Sequence, residues 1–169
     1  MIAARGGRCC RFNEAQVRAL GRNSSGVRGI SIEDDDEVIG ANSCNPQAAD
    51  ADAHTILVVS ENGYGKRSDQ QAYRLTSRGA KGVKTINITD KTGPLVAIKS
   101  VTEDNDLMII TKSGLTIRMA VSDIRVAGRA TQGVRLINIR EGDAIAAVSP
   151  VAKAEEEIPE VVPEAETTA

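Results

Sequence analysis

Aromatic residues are almost missing from this 169-residue chain, which has one Phe, two Tyr and no Trp. Proteins that hold single-stranded nucleic acid stack its bases on such rings, so that mode of recognition has almost nothing to work with. Histidine is as scarce. His54 is the only one; in a stretch rich in Ala and Asp it reads as a solvent-exposed loop residue rather than the imidazole of a triad or dyad. The three cysteines are badly spaced for chemistry, with Cys9 and Cys10 adjacent and Cys44 far away. A structural zinc takes about four closely spaced ligands, and a disulfide framework takes an even number of thiols. They read as inert thiols, and no metal or cofactor is expected. No apolar run approaches the ~18–20 residues of a membrane span, and the first residues show no basic stretch followed by a signal-peptide core, so a cytoplasmic protein is expected.

What is present is an ordinary globular balance, with 41% hydrophobic and 26% charged residues, 15 Gly and 5 Pro, enough for one domain of normal size or a few units of a repeat. The formal net charge of -2 hides an uneven distribution. Residues 151–169 hold six Glu against Lys153 alone, with Pro159 and Pro163 among them, and read as a disordered acidic tail. Residues 1–150 hold 20 basic and 17 acidic groups.

A repeat organises this body. With Gly7, Gly63 and Gly114 in register, Gly26, Gly82 and Gly133 stand nineteen residues later, each followed by Val and a basic residue. Four residues beyond the first glycine come Arg11, Arg67 and Arg118; eleven beyond, Arg18, Arg74 and Arg125; fifteen beyond, Arg22, Arg78 and Arg129; twenty-one beyond, Arg28, Lys84 and Arg135. β-Branched runs such as Thr55 to Ser60 and Leu107 to Thr111 lead into Glu61-Asn62-Gly63 and Lys112-Ser113-Gly114, so each repeat is expected to open with a hairpin. A helical turn and a basic loop follow. A third strand is expected at the alternating Ile30 and Ile32, Ile86 and Ile88, or Ile137 and Ile139, and a fourth at Glu37 to Ala41, Leu95 to Val101 or Ala144 to Val148. Four-stranded units at this spacing are the signature of propeller-like blades, whose small sheets must stack on neighbours to bury both faces.

Charge is segregated within the repeat. The three windows from the first glycine to the basic residue twenty-one later hold 15 basic and 3 acidic side chains, and the rest of the body holds 5 basic and 14 acidic ones, partly in the turn Glu33 to Glu37. Equivalent positions of stacked blades are related by a simple rotation, so each basic offset should form a row that matches a phosphate backbone. A solvated face with scattered ion pairs is the plainer alternative, but twelve basic residues at twelve equivalent positions are hard to assign to solubility. Arg11 and Arg118 lie opposite in strand parity to Phe12, Ile117 and Met119 and should point outward. Arg28, Lys84 and Arg135 share parity with the isoleucines and face outward only at a strand end. Nothing resembles a recognition helix, so binding should be nonspecific, salt-sensitive and suited to bent DNA.

The segments Glu61-Asn62-Gly63-Tyr64-Gly65-Lys66-Arg67, Ser77-Arg78-Gly79-Ala80-Lys81-Gly82-Val83 and Gly128-Arg129-Ala130-Thr131-Gln132-Gly133-Val134 resemble the C-terminal domain family of the bacterial DNA gyrase A subunit, from Met1 to about Val151. Arg11-Phe12-Asn13-Glu14 followed by Gly26-Val27-Arg28-Gly29-Ile30 fits as well. The resemblance implies a six-bladed β-pinwheel, of which this chain is similar to the last three blades. In that family the domain wraps DNA on its basic perimeter and supports ATP-dependent negative supercoiling. The catalytic tyrosine and cleavage domain have no counterpart here, so the chain alone is expected to be no enzyme. The family's glutamine-arginine-arginine-glycine-glycine box belongs to the first blade, and Arg78 to Gly82 is only a degenerate echo of it.

Together these readings give an all-β, propeller-like β-pinwheel array of about three four-stranded blades, 1–45, 54–102 and 106–150, as a partial ring with a disordered tail over 151–169. The candidate DNA contacts are the twelve repeated basic residues together with Lys66 and Lys81. The expected partners are double-stranded DNA and, in the parent complex, the DNA gyrase B subunit plus a second A subunit, with no membrane and no small-molecule substrate. A cytoplasmic, chromosome-associated location follows. With only three blades an exposed sheet edge is expected, across which two copies could pair. The alternatives are the related C-terminal domain of topoisomerase IV and a propeller-type module that meets an acidic protein.

Overall fold

The structure, a computed structural model, describes residues 1–153; the acidic tail expected over 151–169 lies mostly outside them. Eleven strands form: β1 (Ile2–Ala4), β2 (Arg8–Cys10), β3 (Val38–Ala41), β4 (Thr55–Ser60), β5 (Tyr64–Asp69), β6 (Val83–Lys84), β7 (Leu95–Val101), β8 (Asn105–Thr111), β9 (Thr116–Ala120), β10 (Val134–Arg135) and β11 (Ile145–Ala152). Helical structure among the described residues is confined to four single 3₁₀ turns, three of them (Glu14–Gln16, Gln70–Ala72, Val121–Asp123) at the same place in the repeat. Asn13 and Asp69 cap two of these turns by accepting from the backbone N–H two residues on, which is why a polar residue closes the second strand there.

The strands assemble into three antiparallel sheets with orders β3-β1-β2-β6, β10-β5-β4-β7 and β11-β8-β9. Each hairpin turns on a glycine with positive φ, Gly7, Gly63 or Gly114. The middle sheet is covered on both faces. Along β4, Leu57 and Val59 join Leu107, Ile109 and Ile145 of the third sheet in one core, while Ile56 and Val58 join Ala3 and Cys9 of the first sheet in another. Successive side chains of a strand point to opposite faces, so the unbroken apolar run Ile56 to Val59 is what a sheet sandwiched between two others requires. Each such side chain contributes about 1.5–3 kcal/mol on burial.

The third strand of the second and third repeats leaves its own sheet. β6 leaves the second repeat to pair with β2 of the first, with Arg8 opposite Lys84 and Cys9 opposite Val83. β10 leaves the third repeat in the same way to pair with β5, with Tyr64 opposite Arg135 and Gly65 opposite Val134. This relocates the expected third strand. Ile86 and Ile137 are buried as the alternation implies, but the ladder lies two to three residues earlier and is two residues long. The alternation comes instead from packing on the preceding repeat's hairpin turn, where the amides of Thr85 and Leu136 donate to the carbonyls of Gly7 and Gly63, both at 2.8 Å. Among the described residues the first repeat's equivalent, Val27 and Arg28, forms no strand, and the third sheet has three strands instead of four.

Exchange at this range demands glycine beside the donated strand. Gly82 has φ +75°, and a Cβ there would lie 2.4 Å from the Cys9 carbonyl oxygen, whereas one at Gly142, φ +80°, would meet nothing within 4 Å. Both positions share the left-handed backbone cost of about 1–2 kcal/mol for an L-residue. Gly142→Ala is therefore expected to cost about 1 kcal/mol, and Gly82→Ala about 3 kcal/mol or more because it also pries β6 from β2. Urea unfolding of the two variants checks the difference.

Candidate nucleic-acid interface

The repeated basic residues fall into a buried or half-buried set that joins repeats, Arg11, Arg67, Arg78 and Arg129, and an exposed set. Arg67 is only 3% exposed. Its Nε donates to the Ile124 carbonyl at 2.8 Å, and its Nη atoms meet Glu103 at 3.3 Å. Arg11 makes the equivalent contact one repeat earlier, donating to the carbonyls of Gln70 and Tyr73 at 2.9 Å each. Both arginines grip the 3₁₀ turn of the following repeat. The parity expectation for this offset is thus overtaken in the first two repeats: the side chain leaves its own sheet outward, but the exchanged neighbour occupies that space. Arg118, not covered by another repeat among the described residues, is 44% exposed and binds Asp106 at 2.7 Å and the Ala152 carbonyl at 2.9 Å.

A second clamp runs in the opposite direction. Arg78 donates to the Gln16 and Arg28 carbonyls of the first repeat at 3.0 and 2.6 Å, and Arg129 donates to the Ala72 carbonyl at 3.1 Å and to the Lys84 carbonyl of the second. Lys66, also among the predicted contacts, is wholly buried and donates to the carbonyls of Gly128 and Arg129. Burial, with Arg129 nearby, lowers its pKa to about 8. Lys66 and Arg67 are therefore structural cations, and Lys81 lies on the surface near Glu33 at 3.7 Å.

The exposed set is carried by the offset of eleven. Arg18, Arg74 and Arg125 are all exposed, and none has a side-chain hydrogen bond or ion pair among the described residues. They follow the 3₁₀ turns at the far end of the second strand in each hairpin, one per repeat, so they line one end of the stacked blades. Arg22 and Arg28 are exposed and equally without an acceptor. Lys84 and Arg135 sit at the ends of their short strands, exposed, touching Asn87 and Asn138; Arg135 also lies over the Tyr64 ring, 5.4 Å from its centroid. Ten of the twelve repeated basic residues have no carboxylate partner among the described residues, the exceptions being Arg67 and Arg118.

The hairpin-turn end is built differently. Glu61 bridges Arg5 at 3.0 Å and Lys112 at 3.2 Å, tying the turns of three blades together. Asp36 and Asp143, at the same offset, accept from the backbone of the hairpin turns at Gly6 and Ser113. The Ser113 hydroxyl at 2.6 Å holds the Asp143 carboxyl down at about pKa 2. Six-residue strands separate the two ends by about 17 Å; the far end also carries Glu14, Asp69, Asp123 and Glu103, of which Glu103 meets Arg67, and the eleven-offset arginines there form no ion pair among the described residues. His54 meets Asp50 and Ser100, burial pushes the Cys9 thiol up to about 12, and no group of three His, Cys, Asp or Glu among the described residues could hold a metal. The sequence signal for both clamps was the recurrence of arginine itself. Their acceptors are main-chain carbonyls, which no residue identity marks.

An array of small antiparallel sheets, the first two completed by a strand from the next repeat, with exposed arginines at one end, is a propeller-like repeat domain. The chain belongs to the DNA gyrase C-terminal domain, beta-propeller family, whose profile matches residues 1–45, 54–102 and 105–152. It is 46% identical over 147 residues to the DNA gyrase A subunit of Staphylococcus epidermidis and 45% identical over 141 residues to that of Staphylococcus aureus. These matches cover 87% and 83% of this chain but only 16% of each relative. Among solved structures, that of a DNA gyrase A C-terminal domain superposes with TM-score 0.74 at 26% identity, covering 88% of this chain and 49% of that one. The C-terminal domain of DNA topoisomerase IV superposes with TM-score 0.78 at 17% identity, covering 89% and 46%, a likeness of fold alone.

Arg67→Ala removes a buried clamp and strands the Ile124 carbonyl, so it should destabilise by about 2–4 kcal/mol, against less than about 0.5 kcal/mol for Arg74→Ala; chemical denaturation of both checks this. Lys66 gives a pH signature. Its folded pKa of about 8 lies below the 10.5 of the free side chain, so between those values the unfolded state holds more protons and stability rises with pH. The stability of the parent relative to Lys66→Met should therefore grow from pH 8 to 10, which urea midpoints of the two proteins across that range check.

Proposed function

We propose that this chain binds the phosphate backbone of double-stranded DNA without reading sequence and bends it along the blade ends. What supports this is that Arg18, Arg74 and Arg125, at the same offset of the three repeats, are all exposed and have no side-chain acceptor among the described residues. Arg22, Arg28, Lys84 and Arg135 extend that set, Lys81 lies close by, and the clamped Arg78 and Arg129 add positive field behind it. Arg11 and Arg118 lend charge more than contact. Guanidinium groups suit phosphate oxygens in geometry and charge, and a curved row rewards a duplex that follows it.

By kinship with the DNA gyrase A subunit, the chain serves to wrap DNA for that enzyme in ATP-dependent negative supercoiling, with the B subunit plus a second A subunit completing the complex. Cleavage and ATP hydrolysis belong to those other parts, and this chain alone catalyses neither. Among the superposed structures the identity is 26% to the gyrase domain against 17% to the topoisomerase IV domain, and together with the 46% match to a gyrase A subunit this favours gyrase over topoisomerase IV.

Removing the row should change the salt response more than the fold. Each phosphate contact contributes about -0.9 to the slope of log K against log salt. The triple variant R18A/R74A/R125A should thus bind a duplex with a slope shallower by about 2.7, while its circular dichroism stays that of the parent. Fluorescence anisotropy over a salt series measures this, and an unchanged slope would overturn the assignment. Competition by polyglutamate as strong as that by duplex DNA would point instead to a module for acidic proteins.

A further inference from the structure

The geometry points to a seat for one phosphate group at the hairpin-turn end of the middle repeat, formed by Lys91, Arg135 and the Tyr64 hydroxyl. The inference rests on the DNA-binding reading above for the source of that phosphate, the backbone of the duplex. Lys91 is not one of the recurring cations. In register, the turn Glu33-Asp34-Asp35-Asp36-Glu37 of the first repeat becomes Thr89-Asp90-Lys91-Thr92-Gly93 in the second and Arg140-Glu141-Gly142-Asp143-Ala144 in the third. Lys91 thus stands where the other repeats have Asp35 and Gly142, and Thr92 stands in place of the turn aspartates Asp36 and Asp143. In the middle repeat alone this turn carries a lysine and gives up its backbone-bonded carboxylate.

Two cations meet at one ring there. Lys91 Nζ lies 5.6 Å from the centroid of Tyr64 and the Arg135 guanidinium carbon 5.4 Å from it. Arg135 also donates to the Tyr64 hydroxyl at 3.0 Å and to the Asn138 side-chain oxygen at 3.2 Å. The ring is 5% exposed while both cations are exposed, so the ring forms the floor and the charges the rim. The backbone fixes both sides: Tyr64 is paired with Arg135 across β5 and β10, and the Asn62 amide donates to the carbonyls of Asp90 and Lys91 at 3.3 Å each. Neither cation has a carboxylate partner among the described residues. A ring face attracts each cation but leaves their mutual repulsion standing, and an anion between them removes it. The hydroxyl feels this field. The hydrogen bond from Arg135, then the charges of Arg135 and Lys91, hold the Tyr64 phenol below its usual range.

The corresponding place in the first repeat is answered from within. Its cations Arg5, Arg8 and Lys81 share a cavity with Glu33, Asp35 and Asp36, and Lys81 meets Glu33 at 3.7 Å. In the third repeat Leu115 stands at the position of Tyr64. The duplex backbone is the source the page favours because the seat continues the exposed basic surface: the loop from Arg125 to Arg135 begins beside the 3₁₀ turn at the far end, passes Arg129 and ends here. Guanidinium and ammonium groups converging without a carboxylate suit phosphate oxygens.

Two measurements on the 169-residue chain test this. In fluorescence anisotropy over a salt series, Lys91→Ala should bind duplex with a slope of log K against log salt shallower by about 0.9. Lys91→Asp, which installs the first repeat's residue, should weaken binding further, both with the parent's circular dichroism. The second readout is tyrosinate absorbance against pH. The chain has two tyrosines, and burial pushes Tyr73 up to about 12, so Tyr64 titrates first and Tyr64→Phe removes that step. A phosphate in the seat disfavours the phenolate, so saturating duplex should move the step to higher pH in the parent and not in Lys91→Ala. Duplex binding by the parent with an unchanged slope in Lys91→Ala, or with an unmoved Tyr64 step, would overturn this inference and leave the DNA reading intact. Absence of duplex binding by the parent would overturn the DNA reading and with it the duplex as occupant. An equal shift by inorganic phosphate at matched ionic strength would assign the seat to a free anion and overturn the duplex as its source.

Discussion

Donation from a buried or half-buried guanidinium to main-chain carbonyls of the adjacent repeat is the interaction on which this structure depends. A two-residue strand is too short to hold a neighbouring blade by its ladder alone. The clamps Arg11 and Arg67, reaching forward, and Arg78 and Arg129, reaching back, fasten the segments on either side of that strand. A hydrogen bond from a charged donor is worth about twice a neutral one, and a carbonyl buried without a partner costs about 1–3 kcal/mol. The same contacts place charge in the interior without a matching carboxylate at each site, because carbonyl dipoles do the compensating. Lys66, ringed by two such carbonyls and still lowered in pKa, marks how far that compensation goes.

This use of arginine explains the charge geometry of the surface. At the hairpin turns, Glu61 and the two turn aspartates are committed to Arg5, Lys112 and backbone amides. At the other end the cations of the eleven-residue offset are left over. Interior clamp and exterior row therefore come from one repeating sequence: an arginine four residues after the hairpin glycine becomes covered by the next repeat, while one eleven residues after it lies beyond the cover. Clamping and solvent-exposed arginines are thus distinguished largely by position in the repeat rather than by residue type.

Much of this was legible from spacing. The first and fourth strands of each blade, the hairpin glycines and the basic offsets follow from periodicity and turn chemistry, and the resemblance carried by Lys66-Arg67 and by Gly128 to Val134 named the family. Two things were misplaced. The alternation at Ile86 and Ile137 read as a strand because burial on a turn and burial in a ladder both give period two. Arg11 read as outward because parity reports only which side of its own sheet a side chain leaves, not whether another repeat stands there.

The sequence by itself determined that the chain is built from three copies of one small β unit, and which positions in that unit are cationic, since local periodicity and turn residues are properties of adjacent residues. Only the tertiary structure decided which sheet receives each short strand and which arginines stay in solvent. Those outcomes depend on contacts between residues 45 to 76 positions apart, and the clamps' acceptors are backbone carbonyls that every residue carries alike.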